Sequence, residues 1–503
     1  TGNANLGSNS GSRGTATIAG SGASWSVDGA LHVGGSQAGS GGTGTLQVGS
    51  GARASAGSLT VWNDESSIAS GEMSPLVGGM IDVSGALALR DGGKAISYYG
   101  FVGKNPPGAA NSIGAGRVTI DGIGSRWQTR QFTIGEAGPD ATTVSGGGTL
   151  KSDSDTVIGL TGSSLATLRV AAGGMMETGG DGLIGTTAGS RGAAIVGGAN
   201  ARWNVGQALQ IGNEFASGVG PSMLTIEQGG IVDVVGQFNL RGNGELTMAG
   251  GALQSKGMDI AAAGLAIGHG RLTTQAGLTN AGIIDFTHTS DVHGPVRNAA
   301  GGVITVSSQT TTFNHDVVHN GAAFNVAPGA GATFLGSYSG AGNFSGAGEL
   351  TFAGQLLPGN SPALIGVEGT MTLLDSALTT MELGGRARGS QYDAFDVGGT
   401  LALAGTLTIS LLDLGGGMFQ PQAGDSFDLF AATIVLGGFS AQSFAVLGPN
   451  LVWNIAYLTD AIGTTDVVRL SVTAVPEPHT WLMLLAGLGM LWPLVLRCRR
   501  ICN

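Results

Sequence analysis

Apolar residues recur two apart in short runs along the chain: Leu46 with Val48, Leu168 with Val170, Leu224 with Ile226, Leu246 with Met248. A glycine stands three positions after each pair, at Gly51, Gly173, Gly229 and Gly251. Alternation at period two predicts half-buried strands, each about three to five residues long. Turns rich in Gly, Ser, Asn and Ala separate them, and no helical period intervenes. A longer unit is superimposed on these runs. GTATIAGSGASW ends at Trp25, GRVTIDGIGSRW at Trp127 and GAAIVGGANARW at Trp203, so Gly, Ile or Val, Gly and Trp recur with identical spacing. After each Trp comes an apolar-x-apolar-Gly run closing at Gly34, Gly135 or Gly212. Leu6 to Trp25 aligns without gaps on Ile184 to Trp203, so the sequence opens inside a repeat, and an export signal is expected either to have been removed or to lie outside this sequence.

Short strands at regular spacing with no helices between them predict a chain that coils one strand above the last. The fold expected is all-β, a right-handed parallel β-helix, or β-solenoid, with a collapsed β-sandwich as the alternative. Each coil buries one small apolar residue per strand, and neighbouring coils complete the backbone hydrogen bonds. Ile18, Ile120 and Val196, equivalent in the three Trp copies, are expected to point into the tube. The regular repeat occupies residues 1–271. Residues 272–355 keep strand-like pieces such as GIIDFTH and GGVITVSS and predict less regular coils. Longer alternating runs, among them TLALAGTLTISLLDL, predict a separate all-β cap or sandwich-like segment over 356–474. Residues 475–503 form a tail of different character.

Glycine accounts for 94 of 503 residues and proline for only 14. Collagen is excluded, since the strict third-residue glycine and its proline are missing. Disorder is excluded as well, because hydrophobic residues reach 42% and charged residues only 11%. A net charge of -11 repels phosphate backbones and argues against nucleic acid as a partner. The two cysteines, Cys498 and Cys502, lie at the extreme C-terminus, so no disulfide staples the body.

Candidate chemistry is sparse. His315 and His319 have the four-residue spacing of zinc ligands on a helix, but they sit in a strand-like segment and lack the accompanying Glu. Asp153 and Asp155, with Asp64 and Glu65, are the acid pairs a polysaccharide-cleaving β-helix would need, but paired acids in a turn are usually just solvated, and that is the expectation here. Gly179-Gly180-Asp181-Gly182 is a single copy of a calcium-roll-like motif without tandem repetition. Trp25, Trp127 and Trp203 would make a sugar-binding ladder if they faced outward; inward packing is the expectation. No nucleophile, base and acid stand together, so no catalytic residue, metal site or cofactor is expected.

The tail carries the most specific signal. Val475-Pro476-Glu477-Pro478 is held extended by its two prolines. Residues 480–496, TWLMLLAGLGMLWPLVL, hold no charge, and Arg497, Arg499 and Arg500 follow. A helix of that length spans about 25 Å, a marginal membrane crossing. The basic stop places the body across the inner membrane. Together, the Val-Pro-Glu-Pro segment, the apolar helix and the RCRR end resemble the sorting signal of PEP-CTERM proteins. Pro493 late in the helix and Cys498 within the arginine run depart from the usual pattern. The repeats from about residue 6 to 260 resemble those shared by PEP-CTERM proteins and autotransporter passengers. PGNSPA from Pro358, MELGG from Met381 and the stretch from Gln391 resemble the autotransporter-associated region. The resemblance implies a Gram-negative source, export across the inner membrane, a membrane-held precursor and cleavage by exosortase. The function expected is non-enzymatic: a surface-displayed or secreted adhesin or biofilm matrix protein with exopolysaccharide as its partner. A carbohydrate-active β-helix enzyme is the rival.

Overall fold

The computed structural model describes residues 2–63, 65–70, 75–104, 115–136, 138–161, 165–213, 220–359, 362–475 and 485–487. Among them nearly all strands join one continuous sheet of 46 strands that winds as an all-β solenoid. One coil shows how. Arg117–Asp121 lies on a first face; Arg126–Ile134 then bends across a second and a third. Its first half pairs in parallel with Thr149–Ser152 and its second half with Thr156–Ile158. Gly135 turns the chain back toward the first face, where Ala141–Ser145 sits in register on Arg117–Asp121. Three parallel stacks result, built from coils of roughly 20 to 30 residues, a size common to stacking repeats.

The period-two pattern sets the inside and the outside. In Arg117–Asp121, Val118 and Ile120 are buried while Arg117 is exposed. Ile18, Val48, Ser70, Leu89, Ile120, Val144, Val170 and Val196 form one line of register partners through the first stack. Ile18, Ile120 and Val196 are all buried, as their repeat positions predict. Gly34, Gly135 and Gly212 close equivalent third-stack strands with φ of 83°, 80° and 76°. A side chain is strained in that left-handed region, which is why glycine recurs at this corner.

Parallel pairing does not stop at residue 356. Leu356 opposes Tyr338 on one side and Thr379 on the other, and the stacks continue through Ser426–Gly437 and Ala441–Phe444. In the main sheet, antiparallel pairing between strands enters only with its last strands. Thr465–Ala474 runs antiparallel to both Ser426–Gly437 and Leu451–Ile462, burying Val467, Val468, Leu470 and Val472 over the end of the tube. Arg469 pairs with Asp428 at 2.5 Å and Arg386 with Asp425 at 2.6 Å, tying these strands to the coils before them. The longer alternating runs from residue 398 to 412 are rungs of the same ladder, so strand length alone is no marker of a new domain. Near the N-terminus, Gly35–Ser36 and Gly39–Ser40 form a small antiparallel hairpin beside the tube.

Candidate functional site

Inside the second stack, Trp25, Ala54, Leu76, Ala95, Trp127, Leu150, Met176 and Trp203 follow one another in register. The repeat tryptophans therefore share one interior column. Trp127 and Trp203 are wholly buried, and Trp25, in the first coil, is partly buried against the core. Each buried indole N–H needs an acceptor. Trp127 Nε1 donates to Ser97 Oγ at 3.1 Å and Trp203 Nε1 to Thr178 Oγ1 at 3.1 Å, each hydroxyl lying on the preceding coil. An inward column cannot present stacked rings to a sugar.

The histidine pair is split by the strand. His315 is exposed and accepts from the Gly294 N–H, while His319 is fully buried. His319 Nδ1 accepts from the Asn298 side-chain amide and the Gly321 N–H, which leaves Nε2–H to donate to the Asn343 carbonyl. Asn280 joins the chain of bonds through its 2.8 Å contact with Asn298. This is a satisfied polar ladder within the third stack, and burial lowers the His319 pKa below its ordinary value. Among the described residues no group of three His, Cys, Asp or Glu is placed to hold a metal.

The acid pairs also separate. Asp153 sits 3.5 Å from Lys151 and accepts from Gln128, whereas Asp155 accepts the Asp181 backbone N–H. Glu65 accepts the Thr43 hydroxyl, and Asp64 lies outside the described residues. The Gly179-Gly180-Asp181-Gly182 turn is tied into neighbouring coils, with Asp181 accepting the Ala208 N–H. A concavity of about 540 Å³ on the first face contains Glu368 and Asp396. Both are engaged, Glu368 with the Gly346 N–H at 2.7 Å and Asp396 with Arg388 at 2.8 Å.

One outward feature belongs to no repeat position. Tyr98, Tyr99 and Phe101 lie on the strand Lys94–Val102, and their sequence signal is three rings within four positions. Tyr98 and Tyr99 are 45% and 41% exposed, and Ile96 beside them is 48% exposed. The Tyr98 and Tyr99 rings meet edge to face at 4.6 Å.

At the C-terminal end the chain leaves the antiparallel sheet at Ala474. Val475 still donates its N–H to the Asn450 carbonyl at 2.9 Å, with its side chain at the surface. Pro476, Glu477 and Pro478, most of the 480–496 span and Arg497, Arg499 and Arg500 lie outside the described residues. No helix of the described residues is long and apolar enough to cross a membrane. What these features define is a β-solenoid with a linear sorting signal appended beyond its closing sheet. Residues 474–500 match the PEP-CTERM protein-sorting motif, whose match begins where the last strand ends. The motif marks an exported protein whose membrane-anchored precursor is sorted by exosortase. No curated protein matches the chain.

Proposed function

We propose that this protein is a non-enzymatic, adhesin-like component of the cell surface or extracellular matrix, delivered by exosortase and in contact with exopolysaccharide. The observation that carries the reading is the join between body and tail: a solenoid closed by its own antiparallel strands, then a sorting motif that starts at the last residue of the closing strand. Such a body covers its own core at the C-terminal end, and the tail acts as an address. Asp153 and Asp155, the described pair weighed for a hydrolase, are held by Lys151, Gln128 and the Asp181 backbone N–H, which favours a scaffold over catalysis.

The test is made on the full chain in an exosortase-bearing host. Replacing Pro476, Glu477 and Pro478 with Ala is expected to leave the uncut precursor in the inner membrane, since the apolar span and arginines still hold it. Deleting residues 479–503 is expected to release the body without retention. Mass spectrometry of the mature C-terminus decides the sorting step: intact Cys502 and Asn503 on the extracellular protein would reduce the tail to a plain anchor. Biofilm mass and surface retention in a deletion strain decide the matrix role, and wild-type values of both would end it.

A further inference from the structure

We propose that the outward strip formed by Tyr98, Tyr99 and Phe101, with the Arg130 guanidinium beside it, binds an acidic polysaccharide chain. The assignment deepens the matrix reading above and rests on it. The rings occupy one strand of one coil and present a continuous aromatic surface. Tyr99 and Phe101 stack at 6.2 Å with planes 28° apart, and Tyr98 closes the row edge-on. Exposed rings with polar edges suit a pyranose, which offers an apolar C–H face and a rim of hydroxyls. The adjacent coil adds a polar group at the rim: Tyr99 opposes the partly exposed Gln131.

Charge narrows the ligand. The chain carries 33 acidic against 22 basic side chains. Yet Lys94, Lys104, Arg126 and Arg130 cluster on or next to this strand and its neighbour. Arg130 lies 5.0 Å from the centre of the Tyr98 ring and donates to its hydroxyl. Lys104 Nζ lies 4.4 Å from the Phe101 ring centre. Among the described residues no carboxylate comes within ion-pair distance of Arg130, which leaves the donors not used on Tyr98 available for a planar anion. Of the carboxylates in this region, Asp153 is held by Lys151 and Gln128, Asp82 is buried beside Glu136 and Asp140, and Asp140 accepts the Gly116 N–H. An apolar protein surface would meet the rings but would leave the guanidinium facing nothing. A uronate-bearing glycan satisfies both, with its ring face on the tyrosines and its carboxylate on Arg130.

Affinity electrophoresis of the full chain tests the assignment, with polygalacturonate as the probe, dextran as the neutral sugar and polyglutamate as the polyanion without sugar rings. Retardation is expected in polygalacturonate alone. The double variant Tyr98→Ala, Tyr99→Ala is expected to weaken it about tenfold. Tyr98→Phe with Tyr99→Phe is expected to keep most of it, because the ring faces remain. Arg130→Gln is expected to remove most of the salt dependence. These side chains lie outside the core, so unchanged protease resistance of each variant confirms folding. Equal retardation in polyglutamate or dextran, or full affinity in the alanine variant, overturns the proposal. None of these results decides the matrix reading, which biofilm mass and surface retention in a deletion strain report separately.

Discussion

From Trp25 to Trp203, the interior column of the second stack holds tryptophans separated by aliphatic coils; from Phe313 to Phe352, the same column holds phenylalanine on consecutive coils. The two segments are joined without a break through Val232, Leu253, Leu272 and Val292. The difference follows from what each ring requires. A buried indole needs a hydroxyl on the preceding coil and space for its six-membered ring. Ser97 and Thr178 provide the first, and Gly100 contributes to the second, since a Cβ there would come within 2.9 Å of Trp127 Cζ2. A coil meeting both demands cannot itself hold another large ring in the column. Phenylalanine has no polar atom to satisfy, so Phe313, Phe334 and Phe352 stack face to face at 5.3 and 4.9 Å, with planes 9° and 12° apart.

The largest expected effect tests whether one column is a set of isolated rings and the other a coupled stack. Phe334→Ala and Trp203→Ala should each cost about 3–5 kcal/mol of local stability by opening a cavity. Their partners should respond differently. A double-mutant cycle of Phe334→Ala with Phe313→Ala should show coupling of about 0.5–1.5 kcal/mol, the range for stacked aromatic pairs. Trp203→Ala with Trp127→Ala should be additive to within about 0.5 kcal/mol, because two coils intervene. Hydrogen exchange resolved by coil measures both, since only neighbouring coils should lose protection. Matching coupling energies in the two cycles would remove the distinction.

The same contrast shows what the sequence could reveal. The Trp column was legible because a costly ring brings fixed companions: the spacing from Gly14 to Trp25 recurs at Gly116 to Trp127 and Gly192 to Trp203. The Phe column left no such signature, because any apolar residue fits its neighbours. The register is nonetheless unbroken there: Phe313 opposes Phe334, and Phe334 opposes Phe352. Coils whose residue identities repeat less closely still stack in parallel register. The late onset of antiparallel pairing was hidden for a related reason, since Leu401 and Leu403 alternate identically whether the next strand arrives parallel or reversed. Of the candidate sites, the tail was fully legible as a linear signal. The aromatic strip was not, because it depends on Arg130 arriving from the next coil.

Titratable groups sharpen the comparison further, because the two segments bury them with opposite consequences. Near the Trp segment, burial pushes the Asp82 carboxyl up to about 7, with partial relief from the Lys104 backbone N–H. A raised folded-state value means that the folded protein holds this proton more tightly than the unfolded chain. The stabilisation is complete below the ordinary carboxylate range and is lost as pH rises through about 7. Asp82→Asn should therefore add about 2–4 kcal/mol of local stability at pH 8 and almost none near pH 4. Exchange protection of residues 80–104 in the two proteins measures it. An equal gain at both values would mean the carboxyl is not the source.

In the Phe segment the sign reverses, and the effect is the smallest of the set. Burial lowers the His319 pKa, and the bond from Nε2–H to the Asn343 carbonyl opposes that only in part. The neutral ring fits its surroundings because Nδ1 must accept from Asn298 and Gly321. Protonation puts a hydrogen on Nδ1 and sets two donors against each other. The unfolded chain takes up this proton more readily than the folded one, so the contribution of His319 is complete above the ordinary histidine range and is lost as pH falls below about 6.5. Exchange protection from Asn298 to Phe344 should thus decline between pH 7.5 and 5.5 while the coils around Trp203 keep theirs. His319→Gln should flatten the decline, with a cost of about 1–3 kcal/mol if its amide cannot meet both donors. A decline of the same size in the Gln variant would assign the acid sensitivity to another group and leave the Asn280–Asn298–His319 ladder as plain packing.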